Sequence, residues 1–331
     1  MADDGSNQRG DSGRLHSITN NNDGTVTIVY KNMLAEQRFK NNQSMGSVCK
    51  PFDIGQTVYI YNSEGVVLCD GPAISTSSQG KIETCTVEGR ECSYQLYTVT
   101  VAESSIKNWN ALNHADGTPY DLNDNHYLKN EKIMVDNLGQ NCANFTFDNV
   151  LIQNVRSRGI LVKTTGVTIK NCTFRNLAQT AVKLSNEVYW GESTVPRETR
   201  IIDCLFDNVG YDGKHYDHVY NAPISVYIEL GGEFFNENGM CCRDIIIDGC
   251  KFINNDQRYA IHVQNAQEIT IRNCDFGNVT GGLSGYAISL DKAMNVSIYG
   301  NTYNNNTPIK ATETKNVTDQ NGNLIIADTA Q

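Results

Sequence analysis

The sequence predicts an all-β protein built on a right-handed parallel β-helix, and three observations carry that prediction. A short motif recurs from about residue 143 onward, Cys and Phe hold fixed places within it, and Thr, Val, Ile and Tyr abound beside Asn and Gly. Long amphipathic helical patterns are hard to find.

The first 19 residues come first in order. They are polar, lack the apolar run of a signal peptide, and read as a disordered leader. Residues 20–130 carry hairpin-like stretches at 23–30, 53–69 and 93–101. Asn62-Ser63-Glu64-Gly65 between two apolar runs reads as a tight β-turn, so this region is expected to be a small antiparallel β module. Residues 131–331 are assigned to the β-helix. Its repeating segments are FTFDNVLIQNV (145–155), VTIKNCTFRNL (167–177), RIIDCLFDNV (200–209), IIIDGCKFINN (245–255), ITIRNCDFGNV (269–279) and VSIYGNTYNNN (296–306).

Aligned at the corner, these segments place Val150, Cys172, Cys204, Cys250, Cys274 and Asn301 in one series, and Ile152, Phe174, Phe206, Phe252, Phe276 and Tyr303 in another. The shortest spacing between corners is 22 residues, enough for one coil of three short strands; the longer spacings mark insertions, which become loops on one edge. Stacked coils about 4.8 Å apart would turn each series into an interior ladder. Asn171, Asn273 and Asn301 suit a left-handed bend at the corner. A second strand follows in each coil, at 159–162, 181–184, 224–227, 260–263, 287–290 and 308–311.

Composition narrows the function. The 331-residue chain has 27 Lys and Arg against 37 Asp and Glu, a net charge of −10, which argues against a nucleic-acid partner. No apolar run of 18 or more residues occurs to span a membrane as a helix. Eleven cysteines cannot all pair within the chain and show no zinc spacing, so buried thiols are expected.

A β-helix is a scaffold, and its activity must come from outward residues. Outward positions of the second strands and the turns after them are Arg158, Lys163 and Thr164; Lys183, Asn186 and Glu187; Ser225, Tyr227 and Glu229; His262 and Gln264; and Ser289 and Asp291. Glu187 and Glu229 fall at matching places one coil apart, roughly 5 Å along the stack. Two carboxylates at that range raise each other's proton affinity, as an acid/base pair requires. The same positions also suit solvated turn residues paired with Lys183 or Arg158. The segment SNEVYWGES (185–193) places Trp190, one of only two tryptophans, beside Glu187 and Glu192, where an exposed ring could stack on a sugar.

The run RSRGILVKTTGVTIKNCTFRN (156–176), then AVKLSNEVYWGES (181–193) and Val195-Pro196-Arg197, resembles glycoside hydrolase family 110. Arg158, Gly159, Ile160 and Leu161 fit one motif of that family, and Trp190, Gly191, Glu192 and Ser193 fit a second. The hairpin region and MVDNLGQN (134–141) resemble the portion before that strand. The resemblance implies an exo-acting α-1,3-galactosidase that inverts configuration and needs no metal or cofactor. It also implies a galactose-terminated glycan as partner and a secreted or periplasmic location. Among the candidates, Glu187, Glu229, Glu192 and Asp291 would be catalytic. Arg158, Lys163, Lys183, Asn186, Trp190, Tyr227, His262 and Gln264 would bind substrate, and an oligomer is compatible with the reading. Asn186-Glu187 stands where Asp is expected, and the resemblance implies an architecture with amino-terminal coils that this sequence is expected to lack.

Two other readings use the same scaffold. A polysaccharide lyase would need an acidic cluster for Ca²⁺ and a Lys or Arg base; Lys163 and Lys183 are available, but no acidic cluster shares a strand face. A non-catalytic glycan-binding solenoid, of adhesin or tail-fibre type, would need the aromatic residues and not the carboxylates.

Overall fold

A computed structural model describes residues 5–10, 12–35, 49, 51–77, 80–87, 90–123, 132–140, 142–186, 195–211, 222–228, 240–255, 259–277, 279, 286–304 and 308–329. The larger part is a parallel β-helix. Its most regular wall is a parallel sheet of Leu151–Val155, Thr173–Leu177, Leu205–Val209, Lys251–Ile253, Asp275–Phe276 and Thr302–Tyr303. A second wall stacks Ile160–Lys163, Val182–Asn186 and Ile224–Ile228 on the first halves of Ile261–Arg272 and Ile288–Tyr299. The second halves of those two long strands continue into the third wall, with Thr146–Asp148, Thr168–Lys170, Arg197–Ile202 and Cys242–Asp248.

The interior ladders form as the alternation requires. Phe174, Phe206, Phe252, Phe276 and Tyr303 stack nearly face to face, with centroids 5.1, 5.0, 5.0 and 5.3 Å apart. In-register strands set that separation, and each ring fills the gap its neighbour would otherwise leave. Cys172, Cys204, Cys250 and Cys274 are buried free thiols, each directing its Sγ at a backbone carbonyl two residues back. Asn301 ends that series: its amide donates to the Ile271 carbonyl and its Oδ1 accepts from the Cys274 N–H.

The left-handed corner residues are Asn149, Asn171, Asp203, Gly249, Asn273 and Gly300. Asn301, expected at that bend, lies one residue beyond it, because Gly300 takes the positive φ. At Gly249 the positive φ suits glycine, and a Cβ there would meet Asp203 Oδ1 at 2.1 Å, so the Asp203 side chain would have to move. A second left-handed series, Asn154, Asn176, Asn208 and Asn254, follows the Phe ladder, and Asn208 donates to Asn176, which donates to Asn154, at 2.9 and 3.2 Å.

The smaller part is an antiparallel sheet in the strand order Thr25–Ala35, Ser12–Asn20, Ile133–Asn137, Thr57–Asn62, Val67–Thr76, Arg90–Ala102, Ile82–Val87. Thr25–Ala35 also pairs with Arg90–Ala102, which closes a barrel-like ring around Val26, Ile28, Ile60, Leu68, Val99 and Val135. Closure pairs the edge of Thr25–Ala35, and Ile82–Val87 is left outside the ring, paired with Arg90–Ala102.

Three boundaries depart from expectation. Of the expected leader, Ser6–Arg9 is a strand that pairs in parallel with Ile160–Lys163 and covers the open edge of the second wall. Ser12–Asn20, all but Asn20 assigned to the leader, is a central strand of the barrel. Ile133–Asn137, assigned to the β-helix, lies between Ser12–Asn20 and Thr57–Asn62. Their polar or mixed sequences hid this, since backbone pairing rather than an apolar pattern places Ser6–Arg9.

The barrel is seated on the β-helix. Tyr59, Tyr61, Val67 and Met134 join the same apolar cluster as Val162, Leu184, Ile228 and Cys241. Asp70 Oδ2 accepts from Arg197 and Arg243 at 3.3 and 3.1 Å, and the Arg197 guanidinium lies 4.5 Å from the Tyr59 ring centroid. The Cys241 N–H donates to the Gly65 carbonyl at the tip of the predicted turn.

Candidate functional site

The second wall carries two rows of side chains on the face away from the Phe stack. One row runs Leu161, Lys183, Ser225, His262, Ser289 and Lys310, in strict register. In the other, Ser185 pairs with Tyr227, and Gln264, Asp291 and Thr312 follow. The β-branched inward neighbours Val182, Ile224, Val226, Ile261, Val263 and Ile288 fix this wall, and strand alternation turns the polar residues out.

An open groove was expected here; the structure covers it. Lys163, Thr164, Ser185 and Ser225 have no exposed surface, and Lys183, Tyr227, His262 and Gln264 are all buried. Polar groups removed from water need partners or a use. The Lys183 ammonium lies 5.2 Å from the Tyr227 ring centroid, a cation–π arrangement. The His262 ring stacks on Tyr259 with centroids 6.1 Å apart. Desolvation pushes His262 down to about 4, with Gln264 opposing and the Lys310 charge reinforcing the shift. His262 is therefore a neutral imidazole at ordinary pH.

Asp291 is the half-buried carboxyl of these rows. Gln264 Nε2 donates to its Oδ2 at 3.3 Å, and Lys292 stands 4.0 Å away, between Asp291 and Glu313. Desolvation raises its proton affinity, Lys292 opposes this, and Glu313 adds to it. A carboxyl so placed can hold a proton above the usual carboxylate range and release it to a leaving group.

The expected site residues fall into four groups. Lys183, Tyr227, His262, Gln264 and Asp291 come together in the two rows. Lys163 ends its strand at the covered edge, opposite Arg9, and Arg158 is half-buried at the preceding corner, where its carbonyl accepts from Gly5. Asn186 corrects its assignment: it is fully buried and hydrogen-bonded to Tyr61, so it belongs to the contact with the barrel rather than to a substrate surface. Glu187, Trp190, Glu192 and Glu229 lie outside the described residues. Asn186 and Ile228, which precede Glu187 and Glu229 in sequence, are register partners.

Sequence reasoning missed Tyr259, Lys292, Lys310 and Glu313. Lys310 had a signal, since 308–311 was recognised as a second strand and Lys310 occupies the same outward place as Lys183. Among the described residues, no group of three or more His, Cys, Asp or Glu side chains is placed to hold a metal ion.

Comparison with known proteins gives three findings. A family described as "Right handed beta helix region" matches residues 231–327. No curated protein matches the chain. Among solved structures, the catalytic domain of a GH87 alpha-1,3-glucanase variant in complex with tetrasaccharides aligns at 10% identity. That alignment covers 92% of this chain and 80% of the other, and its TM-score of 0.13 is too low to carry an argument about fold or activity.

Proposed function

We propose that this chain is a carbohydrate-active β-helix protein, a glycoside hydrolase whose substrate lies along the outer rows of the second wall. The coils are read as right-handed, in keeping with the family that matches residues 231–327. The observation that carries the reading is the continuous polar face of Lys183, Tyr227, His262 and Gln264, buried yet not apolar, which ends at the half-buried Asp291. An aromatic ring, an ammonium, a neutral imidazole and amide groups in rows about 4.8 Å apart can match successive hydroxyls and the apolar face of a sugar.

In this reading Asp291 is the general acid, its proton affinity raised by desolvation and its Oδ2 oriented by Gln264. It would donate its proton to the glycosidic oxygen while a second carboxylate activates water on the opposite face of the ring. Two rungs separate the strand of Tyr227 from that of Asp291, roughly 10 Å along the stack. Side chains leaning together across two rungs reach the wider separation that inversion requires, whereas adjacent rungs give the narrower one of a retaining pair. Glu229, which follows Ile228 on the strand of Tyr227, is the first candidate for the second carboxylate, and Glu187, which follows Asn186 one rung further from Asp291, is the next. The resemblance to family 110 makes terminal α-linked galactose the first substrate to offer.

The test is incubation with p-nitrophenyl α-galactoside and α-galactose-terminated oligosaccharides, with and without EDTA, for wild type and Asp291→Asn. Galactose release that is indifferent to chelator and falls by about 10²-fold in the variant supports the reading. Calcium-dependent appearance of unsaturated sugar ends would replace it with a lyase, and binding without turnover with a glycan-binding solenoid.

A further inference from the structure

Asp136 is a carboxyl sealed in the contact between barrel and β-helix. It sits on Ile133–Asn137 with Ser12 as register partner on one side and Tyr59 on the other. Alternation turns Val58, Ile60, Ile133 and Val135 into the barrel core, and Tyr59, Tyr61 and Met134 toward the β-helix. Asp136 shares that second face and is fully buried. The Ser12 hydroxyl donates to its Oδ1, while Oδ2 has no hydrogen-bond partner among the described residues.

The groups around it are few. Among the described residues, Ser12 comes from one neighbouring strand, Tyr59 and Tyr61 from the other, and Arg197 and Cys241 from the β-helix. The guanidinium of Arg197 is already engaged by Asp70 and lies over Tyr59. An ionised Asp136 would therefore keep a single hydroxyl donor and a cation committed elsewhere, which does not offset the loss of water around a carboxylate.

We propose that Asp136 is a proton-operated latch: protonated, it lets the barrel seat on the β-helix, and ionised, it loosens that contact. Burial drives its proton affinity upward, with Ser12 and then Arg197 pulling more weakly the other way. The seated state thus holds its proton to higher pH than the open state. Stability from this group is fully present below the ordinary carboxylate range and is lost as pH rises toward the raised value. The proposal stands on the contact alone and does not rest on the carbohydrate reading.

Amide exchange at Cys241 reads the latch directly, because its N–H donates to the Gly65 carbonyl across the contact at 2.9 Å. After correction for the intrinsic pH dependence of exchange, wild-type protection is expected to fall, by up to about tenfold per pH unit, as pH rises above the ordinary carboxylate range, one proton being linked to opening. Asp136→Asn, which keeps the shape and cannot ionise, should remove the slope. Ser12→Ala deletes the donor to the ionised form and should carry the decline to higher pH. A flat wild-type profile, or the same slope in wild type and Asp136→Asn, overturns the proposal. If Asp136→Asn does not fold, an unchanged profile in Ser12→Ala overturns it instead.

Discussion

Two faces of the β-helix walls carry buried rows that are chemically opposite. Inside, Phe174, Phe206, Phe252 and Phe276 stack ring on ring with no exposed surface. Outside the second wall, Lys183, Ser225 and His262 climb the same rungs in the same register, also buried, with an ammonium, a hydroxyl and an imidazole in place of rings. Packing explains the first row completely, since apolar burial stabilises each coil. It does not explain the second, where Leu or Val would cost nothing in desolvation. On the proposed reading, the buried polar rows are a surface kept for chemistry, and the buried apolar stack is the scaffold.

Substitutions on the two faces should therefore fail differently. Phe206→Ala should cost about 3–5 kcal/mol in urea unfolding, because it empties one place in a continuous stack and the rings on either side cannot close the gap. A loss under about 1 kcal/mol would mean that the stack is not what holds the coils together. Asp291→Asn should leave the unfolding midpoint nearly unchanged and lower kcat by about 10²-fold. An equal loss of stability and activity would move Asp291 to the scaffold side of the comparison.

The contact between barrel and β-helix gives an intermediate case. Asp70→Asn should cost about 1–3 kcal/mol, since it leaves Arg197 and Arg243 without their shared carboxylate. Chemical denaturation of the two forms measures it, and no change would show that the two arginines find other acceptors.

The pH dependence of the outer face has a definite sign. His262 titrates near 4 in the fold and near its ordinary value of about 6.5 when unfolded, so the unfolded chain binds the extra proton between those values. Stability from this group is complete above about 6.5 and is lost as pH falls toward 4. Thermal melting of wild type against His262→Gln over that range should show a slope in the first that is absent in the second. Asp136, buried in the barrel contact, has the opposite sign. The smallest effect is expected at the corner amide ladder, where Asn208→Ala should cost about 1 kcal/mol by removing its hydrogen bond to Asn176.

How much of this was legible in the sequence follows from the same contrast. The Cys and Phe series could be read off because an interior ladder needs the same residue type at each rung, and identical environments leave a repeat. The Asn154, Asn176, Asn208 series stood in the same repeats and was passed over, since Asn was already plentiful. The outer rows were legible as positions through alternation, although their burial was not, because what covers a face comes from elsewhere in the chain. Ser6–Arg9 gave no signal: a strand placed by backbone hydrogen bonds to a preformed edge needs no apolar pattern. Asn186 was misread for a related reason, as the barrel that takes it up through Tyr61 lies more than a hundred residues earlier in the chain.

The central claim, that the buried polar rows of the second wall are the glycan site, is tested most directly by the ring signals of His262 in NMR spectra recorded while an α-galactose-terminated oligosaccharide is added to Asp291→Asn, which should bind without turning over. The account predicts saturable shifts at His262, with matching changes at Tyr227 and at the Lys183 ammonium above it. Saturable shifts elsewhere in the molecule, with His262 and Tyr227 unmoved, would contradict it.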